Sequence, residues 1–397
     1  MLALRIARVF DGRAVVEGAG VVFVDGGRIV GVEPSWFGIP TGVEVLDRPS
    51  GTLLPGLVDA HVHLVGDGAP GALERPGALS QDDLFSTIER SLRIQLAAGV
   101  TTVRDLGDVA WSVVDWRARR PRPDLPTVVA SGPPLTSRAG YCRHTDGGAS
   151  GSDELRAAVR ERAERGADVV KIMAGGGMPS TPGSAVDQGR FTAEELALVV
   201  SRAHAMGLPV TAHAHALVSI RDAIAAGVDG IEHCTFLASD SVHVPEEAIA
   251  ALAAQGIVVC PTLGHAPGAG PAPQLNEHMY EAGPAHDALR RRVVRAHLAG
   301  VTIVSGTDGG IGPDTPHGGL PRAVMDLVSG GMAAADALAS ATSVAARACG
   351  LGDRKGRVRT GYDADLVVVD GDPFTDMAAL TRLDVTVLGG QVLSSRS

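Results

Sequence analysis

The sequence predicts an α/β protein: a (β/α)8 TIM barrel with a small β-sandwich domain formed by both termini. The barrel is predicted by helix-like, alanine-rich segments that end at a glycine and pass at once into an apolar strand. Six such junctions occur, at Gly99, Gly166, Gly207, Gly227, Gly256 and Gly300. Glycine suits the left-handed position that closes a helix. With two further strands, near residues 54 and 128, eight strands alternate with helices, which favours a closed barrel over an open doubly wound sheet.

The two ends of the chain predict the second domain. Short strands separated by turns are predicted over residues 2–9, 14–17, 20–24 and 28–32, with a hairpin signal at Gly26-Gly27. The last forty residues repeat this style, with strands over residues 364–369 and 385–393. We therefore expect residues 1–55 and 353–397 to form one β domain and residues 56–352 to form the barrel.

Composition narrows the class of protein. Of the 397 residues, 45% are hydrophobic and 20% are charged, which is typical of a globular chain. The net charge of −10 contains no basic block, so nucleic acid and anionic membranes are not expected partners. No stretch approaches the length needed to span a bilayer. Arg5 and Arg8 interrupt the first residues before a signal-type apolar stretch develops, so no signal peptide is expected. The four cysteines have no C-x-x-C pairing, and we expect buried thiols in a cytoplasmic protein.

The residues that end the predicted barrel strands are the main indication of function, because active sites of such barrels lie at these ends. Strand one ends in His61 and His63, whose i, i+2 spacing puts both rings on one face. The other polar strand ends are Lys171 on strand four, His213 on strand five with His215 just beyond it, His233 on strand six and Asp308 on strand eight. Metal-ligand residue types at several strand ends of one barrel indicate a metal site rather than core packing.

Lysine is almost absent from the chain: only Lys171 and Lys355 occur among the 35 basic residues. An ammonium group cannot bind a metal, but a buried lysine can lose its proton. The neutral amine can then take up CO2 and become a carbamate, whose two oxygens can bridge two metals; arginine stays protonated and cannot do this. The alternative is a lysine that pairs with an acid or orients substrate. Lys355 is expected in a surface loop.

Several short motifs connect the chain with a known family. They are PGLVDAHVHL at residues 55–64, VKIMAGGG at 170–177, AHAH at 212–215, IEH at 231–233, GTD at 306–308, AARACGL at 345–351 and GYDADLVV at 361–368. By these motifs the chain resembles the amidohydrolase superfamily over essentially its whole length. The branch it resembles most holds prolidase-like dipeptidases, ochratoxin-type amidases and imidazolonepropionases, and the lysine motif favours the binuclear, prolidase-like side.

The resemblance implies a centre of two divalent metal ions, usually zinc. The residues implied as ligands are His61, His63 and Asp308 for one metal and His213 and His233 for the other, with N-carboxylated Lys171 as the bridge. His213 matches the family's ligand position better than His215, which either supports the ligands or is a loop histidine. In the implied reaction a metal-bridged hydroxide attacks a polarised carbonyl, and Asp308 passes the proton to the leaving amine.

Substrate contacts are expected in the loops after the strands. Related enzymes often carry a Gly-Gly-His turn after strand three, and here Tyr141 stands in the place of the histidine. Its phenol can donate a similar hydrogen bond; alternatively His144 reaches back, or the role is absent. Arg143 can bind a substrate carboxylate with two hydrogen bonds or be a surface arginine. His265 and His317, after strands seven and eight, are further candidates.

Three functions follow from these observations. The leading one is a metal-dependent hydrolase that cleaves a small amide or peptide-like bond, with Xaa-Pro dipeptides or N-acyl amino acids as first substrates. The second is a mononuclear hydrolase of cyclic amides, or a deaminase, of the imidazolonepropionase type, with Lys171 unmodified. The third is a catalytically silent scaffold, which the complete ligand set argues against. A homo-oligomer is expected, because related proteins commonly assemble.

Overall fold

The computed structural model describes residues 1–72, 74–119, 122–138, 140, 142, 145–177, 189–238, 242–266 and 285–395. The strands are β1 (Leu2–Val9), β2 (Ala19–Asp25), β3 (Arg28–Pro34), β4 (Glu44–Pro55), β5 (Leu57–Val62), β6 (Val100–Asp105), β7 (Thr127–Ala130), β8 (Val170–Met173), β9 (Val210–Ala216), β10 (Gly230–Leu237), β11 (Val258–Cys260), β12 (Leu366–Asp370), β13 (Leu383–Leu388) and β14 (Gln391–Ser395). The helices are α1 (Gln81–Ala97), α2 (Ser112–Arg119), α3 (Gly151–Glu164), α4 (Ala193–Ala205), α5 (Leu217–Ala226), α6 (Glu246–Gln255), α7 (Ala285–Leu298), α8 (Leu320–Ser329), α9 (Ala334–Ser340) and α10 (Ser343–Ala348).

Both termini build one seven-stranded sheet, in the order β14-β13-β12-β4-β1-β2-β3. β12 pairs antiparallel with β4, so the C-terminal strands extend the sheet begun by the N-terminal ones. The two outer hairpin turns of the sheet meet at Ala364, whose amide donates to Gly27 O and whose carbonyl accepts from Gly390 N. The strand predicted over residues 14–17 is wrong, because that segment forms only a single bridge between Phe10 and Val15.

The barrel is built from parallel strands that run from β5 to β11. They form two sheets, one of three strands (β5-β6-β7) and one of four (β8-β9-β10-β11). A bridge between Leu135 and Ile172 joins the two sheets. Residues 301–308 close the barrel, through a parallel bridge from Ile303 to Val259 and a hydrogen bond from Ala60 N to Ser305 O. This eighth segment is not a regular strand, because Ser305 N donates instead to the carbonyl of Ser340 at the end of α9.

The predicted helix-to-strand junctions have the expected backbone. All six glycines have a left-handed φ, between +68° and +95°, which side chains with a Cβ rarely adopt. Gly227 and Gly256 directly close α5 and α6. Among the helices that the structure describes, none is long and apolar enough to cross a membrane.

Candidate metal centre

The first group of ligand side chains lies where β5 ends. His61 and His63 place their ring centroids 5.3 Å apart. Oδ1 of Asp308 is 3.2 Å from Nε2 of His61 and 3.0 Å from Nε2 of His63. The backbone holds this arrangement, because the amides of Thr307 and Asp308 both donate to the carbonyl of His61. The three side chains that the sequence predicts for one metal are therefore in one place.

Hydrogen bonds orient both rings with Nε2 toward Asp308. His61 donates from Nδ1 to Glu232 Oε2 at 2.8 Å, and His63 donates from Nδ1 to the Gly107 carbonyl at 3.0 Å. Carboxylates and carbonyls only accept, so in the neutral rings each Nε2 carries a lone pair. The Asp308 carboxylate opposes the effect of burial and raises the pKa of His63, and a bound divalent ion would take the place of a proton on Nε2. His61 Nε2 is buried, and no atom of the described residues meets it with hydrogen-bond geometry. A buried acceptor without a partner is costly, and a divalent ion bound by these three atoms would satisfy it.

The second group is made of three histidines rather than two. β9 contains both His213 and His215, so the prediction that His215 lies beyond the strand is wrong. The ring of His233 lies 4.6 Å from that of His213 and stacks on that of His215 at 4.4 Å. One nitrogen from each ring lies within 4.8 Å of the others, so the three together can hold a metal ion.

Hydrogen bonds also select the metal-facing atom in this group. His213 donates from Nε2 to the carbonyl of Gly176 at 3.2 Å, which makes Nδ1 its lone-pair atom. Nδ1 of His233 is 2.9 Å from the Thr262 hydroxyl, and Nδ1 of His215 is 3.0 Å from the Thr235 hydroxyl. In both cases Nε2 is the ring nitrogen turned away from the hydroxyl. Such outer hydrogen bonds orient the imidazoles of metal sites.

The backbone is strained at the same strand ends. His233, Thr262 and Asp308 have φ values of +70°, +50° and +55°. Side chains with a Cβ rarely adopt this conformation, and each instance costs about 1–3 kcal/mol. Such strain is typical of functional sites, where the chain holds a side chain in a set position.

Lys171 lines the same cavity as both groups. It is the second residue of β8, is only 2% exposed, and lines one cavity together with His61, His63, His213, His233 and Asp308. Burial lowers the pKa of its ammonium, although the nearby carboxylates of Glu232 and Asp308 oppose this. Within the described residues its ammonium has no hydrogen bond or ion pair. The expected alternative, a lysine paired with an acid, is therefore not what the described part of the chain shows.

Lys355 shows the opposite arrangement, and its predicted position in a surface loop is wrong. It is 5% exposed and forms ion pairs with Asp365 and Asp363. These carboxylates lie at the start of the C-terminal part of the sheet domain. The sequence pattern around Lys355 is polar, and only the packing of the two domains buries it.

The charge states suit a metal centre. Burial lowers the pKa of His213 and of His233 well below the usual value, and lowers that of His215 to about 4. Burial alone would raise the pKa of Asp308, but His61 and His63 beside it hold that pKa well below its usual range. Neutral imidazoles and an ionised carboxylate are the forms in which these side chains bind zinc.

Of the five residues predicted to contact substrate, only His265 and His317 lie within the described part of the chain. Tyr141, Arg143 and His144 lie outside the described residues. His265 follows β11 and is half-buried. His317 is buried, and both of its ring nitrogens face protein neighbours. Nε2 donates to the Gly66 carbonyl at 2.9 Å, and Nδ1 is 3.4 Å from the side-chain amide of Gln95 on α1. A contact of His317 with substrate stays a prediction.

Three residues at or next to the centre were not predicted as site residues. Glu232 accepts a hydrogen bond from Nδ1 of His61, and Nη2 of Arg104 donates to Glu232 at 3.0 Å. Glu232 could have been found from the sequence, because it precedes His233 in the strand and must point to the other face. Arg104 has no comparable signal, since arginines are frequent in this chain. Cys142 also lines the cavity.

Comparison with known proteins decides the family. The model of the amidohydrolase family matches residues 52–393. The chain belongs to the amidohydrolase family. An uncharacterized protein of Mycobacterium tuberculosis is 32% identical to this amidohydrolase over 355 residues, covering 86% of this chain and 85% of the relative. Ochratoxinase of Aspergillus niger is 28% identical over 365 residues, covering 82% and 71% of the two chains.

A solved structure supports the same conclusion for the fold. A Xaa-Pro dipeptidase with bound methionine in its active site superposes with a TM-score of 0.82 at 26% identity, covering 99% of this amidohydrolase and 100% of that chain. The predicted fold, a barrel with a β domain from both termini, is thereby confirmed. The predicted enzyme class, a hydrolase acting on C–N bonds, is confirmed with the family.

Proposed function

We propose that this amidohydrolase is a two-metal hydrolase of small amides, with Xaa-Pro dipeptides or N-acyl amino acids as its substrates. One observation carries the proposal: two groups of side chains that can ligate metals line one cavity, together with a buried lysine that has no ion pair among the described residues. The ligands would be His61, His63 and Asp308 for one metal and His213 and His233 for the other. Zinc is proposed because imidazole nitrogen and carboxylate oxygen are its common ligands.

Lys171 would complete the centre as a carbamate. Burial favours the neutral amine, whose nitrogen lone pair adds to the carbon of CO2, and the displaced N–H proton passes to water. The product is an anion with two oxygens, which suits a position between two cations. An unmodified ammonium at this position would instead repel both metals.

The side chains divide the work of hydrolysis. Bound metals lower the pKa of a water and polarise the substrate carbonyl. Asp308, held ionised by His61 and His63, can accept a proton and deliver it to the leaving nitrogen. Part of the cavity wall is apolar and is formed by Val65, Leu106, Val109, Met173 and Ile311. Such walls favour an apolar acyl side chain on the substrate.

The substrate class has two supports. The similarity to a Xaa-Pro dipeptidase and to an ochratoxinase favours hydrolysis of an amide-type bond over deamination. The apolar cavity wall favours a small uncharged acyl group next to the scissile bond. Arg143 is the proposed partner of a substrate carboxylate, and Tyr141 or His144 is the proposed donor to its carbonyl. His215, which stacks on the ring of His233, is proposed to support the ligands rather than to bind a metal.

Metal analysis combined with a hydrolysis screen tests the proposal. The zinc-loaded protein is offered Xaa-Pro dipeptides, N-acyl amino acids, lactams and esters. We expect two metals per chain and turnover of the first two classes. One metal per chain that survives Lys171→Ala, together with lactam opening and no peptide turnover, would overturn the two-metal proposal in favour of a mononuclear enzyme.

A second experiment tests the carbamate itself. Lys171→Ala leaves space in the cavity that a short carboxylic acid such as acetate or propionate can fill. We expect the added acid to restore a second metal and part of the activity, because it supplies the missing bridging oxygens. Lys171→Arg is the control, since its guanidinium fills the space and takes up no CO2. Equal behaviour of both variants in acetate would count against a carbamate.

A further inference from the structure

Arg104 extends from β6 into the interior of the barrel. It is 6% exposed, and its guanidinium makes two contacts there. Nε donates to the carbonyl of Ala60 at 2.7 Å, and Nη2 donates to Glu232 Oε1 at 3.0 Å. One contact holds the backbone just before His61, and the other leads to the ring of His61 through Glu232. The guanidinium therefore contacts both the backbone that precedes His61 and the carboxylate that accepts a hydrogen bond from its ring.

Glu232 is the centre of this network. Its Oε1 accepts from Arg104 and, at 2.5 Å, from the hydroxyl of Thr211, while its Oε2 accepts from Nδ1 of His61. Burial alone would raise the pKa of this carboxyl, but Arg104 and His61 lower it below its usual range. The network connects the strand of Arg104 with β5, β9 and β10. These three strands carry His61, His213 and His233.

This cluster is not itself a metal site. His61, Glu232 and Cys260 offer ligand atoms within 4.8 Å of one another. However, the Arg104 guanidinium already supplies the positive charge that faces Glu232. Burial also raises the pKa of Cys260 well above its usual value, which disfavours the thiolate form that binds metals. The cluster is therefore a support beneath the histidines.

Arg104 can be reached from the opposite end of the barrel. A cavity of about 400 Å³ is lined by Arg104, Thr211 and the first residues of three strands, Val210, Gly230 and Val258. Those residues mark the N-terminal ends of β9, β10 and β11, opposite to the candidate metal centre. The guanidinium thus lies between a cavity at the bottom of the barrel and the carboxylate that orients His61.

We infer that Arg104 is a positioning residue for the metal bound by His61, acting through Glu232, and that small cations can replace its guanidinium from the bottom cavity. This inference rests on the proposed two-metal function. Glu232 fixes the His61 ring so that Nε2 faces Asp308, and Arg104 holds Glu232 and the Ala60 carbonyl in place. Without Arg104, Glu232 loses one of its two donors on Oε1, and the ring loses a fixed orientation.

The test measures cobalt binding to the metal-free protein, because Co²⁺ reports its own coordination through its visible absorption bands. The variants are Arg104→Ala, with and without guanidinium chloride at a concentration that does not unfold the protein, and Arg104→Lys. We expect Arg104→Ala to bind one of two Co²⁺ ions about 10–100-fold more weakly, the usual effect of losing an outer partner of a ligand. We also expect the visible absorption bands of Co²⁺ to shift in Arg104→Ala. Added guanidinium should restore both the Co²⁺ affinity and the band positions.

Two variants separate positioning from stability. Lys355→Met removes another buried cation from its carboxylates but lies outside the network, so both Co²⁺ affinities and the bands should match the wild type. If Arg104→Ala does not fold, Arg104→Lys serves as the test variant, because it keeps the buried charge. A single ammonium cannot replace the fork that contacts both Ala60 and Glu232, so we expect a smaller loss of the same Co²⁺ ion.

The outcomes are distinct. A folded Arg104 variant with wild-type cobalt affinity and spectrum overturns the inference, as does an equal loss of cobalt in Lys355→Met. Failure of guanidinium to restore Arg104→Ala overturns access from the bottom cavity. If the wild-type protein binds no second Co²⁺, the two-metal function fails first, and the wild-type titration shows this independently of any variant.

Discussion

The two lysines of the chain predict opposite effects of the same substitution. Lys171 and Lys355 are both buried, at 2% and 5% exposure, and methionine matches the length and apolar stem of each. Lys355 has carboxylate partners, whereas Lys171 has no ion pair among the described residues. In the metal-free protein, Lys355→Met should therefore destabilise the fold and Lys171→Met should not.

The contacts indicate the size of each effect. Without Lys355, Asp365 is left buried at 8% exposure with one remaining donor, the Gly389 amide at 2.8 Å. Asp363 keeps its pairs with Arg28 and Arg354. Leaving one buried charge unpaired costs about 3–5 kcal/mol.

Lys171→Met removes an ammonium whose charged form is disfavoured by burial. We therefore expect the free energy of unfolding to rise by about 1–2 kcal/mol, as when other functional sites are replaced by more stable residues. The two variants should thus differ by about 4–7 kcal/mol in the free energy of unfolding.

The assay is urea denaturation after dialysis against a chelator, followed by circular dichroism, with hydrolysis measured on the zinc-loaded proteins. Lys171→Met should unfold at higher urea than the wild type and be inactive. Lys355→Met should unfold at lower urea and keep its activity while folded. If Lys171→Met were destabilised as much as Lys355→Met, Lys171 would be a charge-paired lysine, and the carbamate proposal would lose its physical basis.

Three further predictions concern single positions. His213→Asn should lose one of two metals, whereas His215→Asn should keep both and turn over about tenfold or more slowly; metal analysis showing the reverse would exchange their roles. Burial raises the pKa of the Cys142 thiol to about 12, so its alkylation at pH 8 should be far slower than that of free cysteine and should rise about tenfold per pH unit. Fast alkylation near neutrality would contradict this. Gly310→Ala places a Cβ 2.5 Å from the His63 carbonyl at a φ of +103° and should cost about 3 kcal/mol or more in thermal unfolding. Gly350→Ala, with φ +73° and open space, is the control at about 1 kcal/mol.

Local rules predicted much of the fold. Glycine after a helix requires a left-handed φ, and all six predicted junctions have it. The hairpin at Gly26-Gly27 follows from the same freedom and joins β2 to β3. The eighth barrel segment was predicted as a strand but forms only the bridge from Ile303 to Val259, because the amide of Ser305 donates to the carbonyl of Ser340 in α9.

The candidate centre was predictable where spacing alone sets direction. The i, i+2 spacing of His61 and His63 brings both rings to Asp308. His215 has the same spacing from His213, yet its predicted place beyond the strand was wrong. β9 runs to Ala216, and only its pairing with β10 stacks His215 on His233.

The sequence by itself determined the residue types at the strand ends, and with them the family and the metal-binding character of the site. The tertiary structure alone decided which charges are paired. Lys355 forms ion pairs with two carboxylates, whereas Lys171 has no ion pair within the described ranges of the chain. Arg104 contacts Glu232 across 128 positions of the chain. The physical reason is range: spacing along a strand sets direction over a few residues, whereas burial and ion pairing depend on which distant strands the closed barrel brings together.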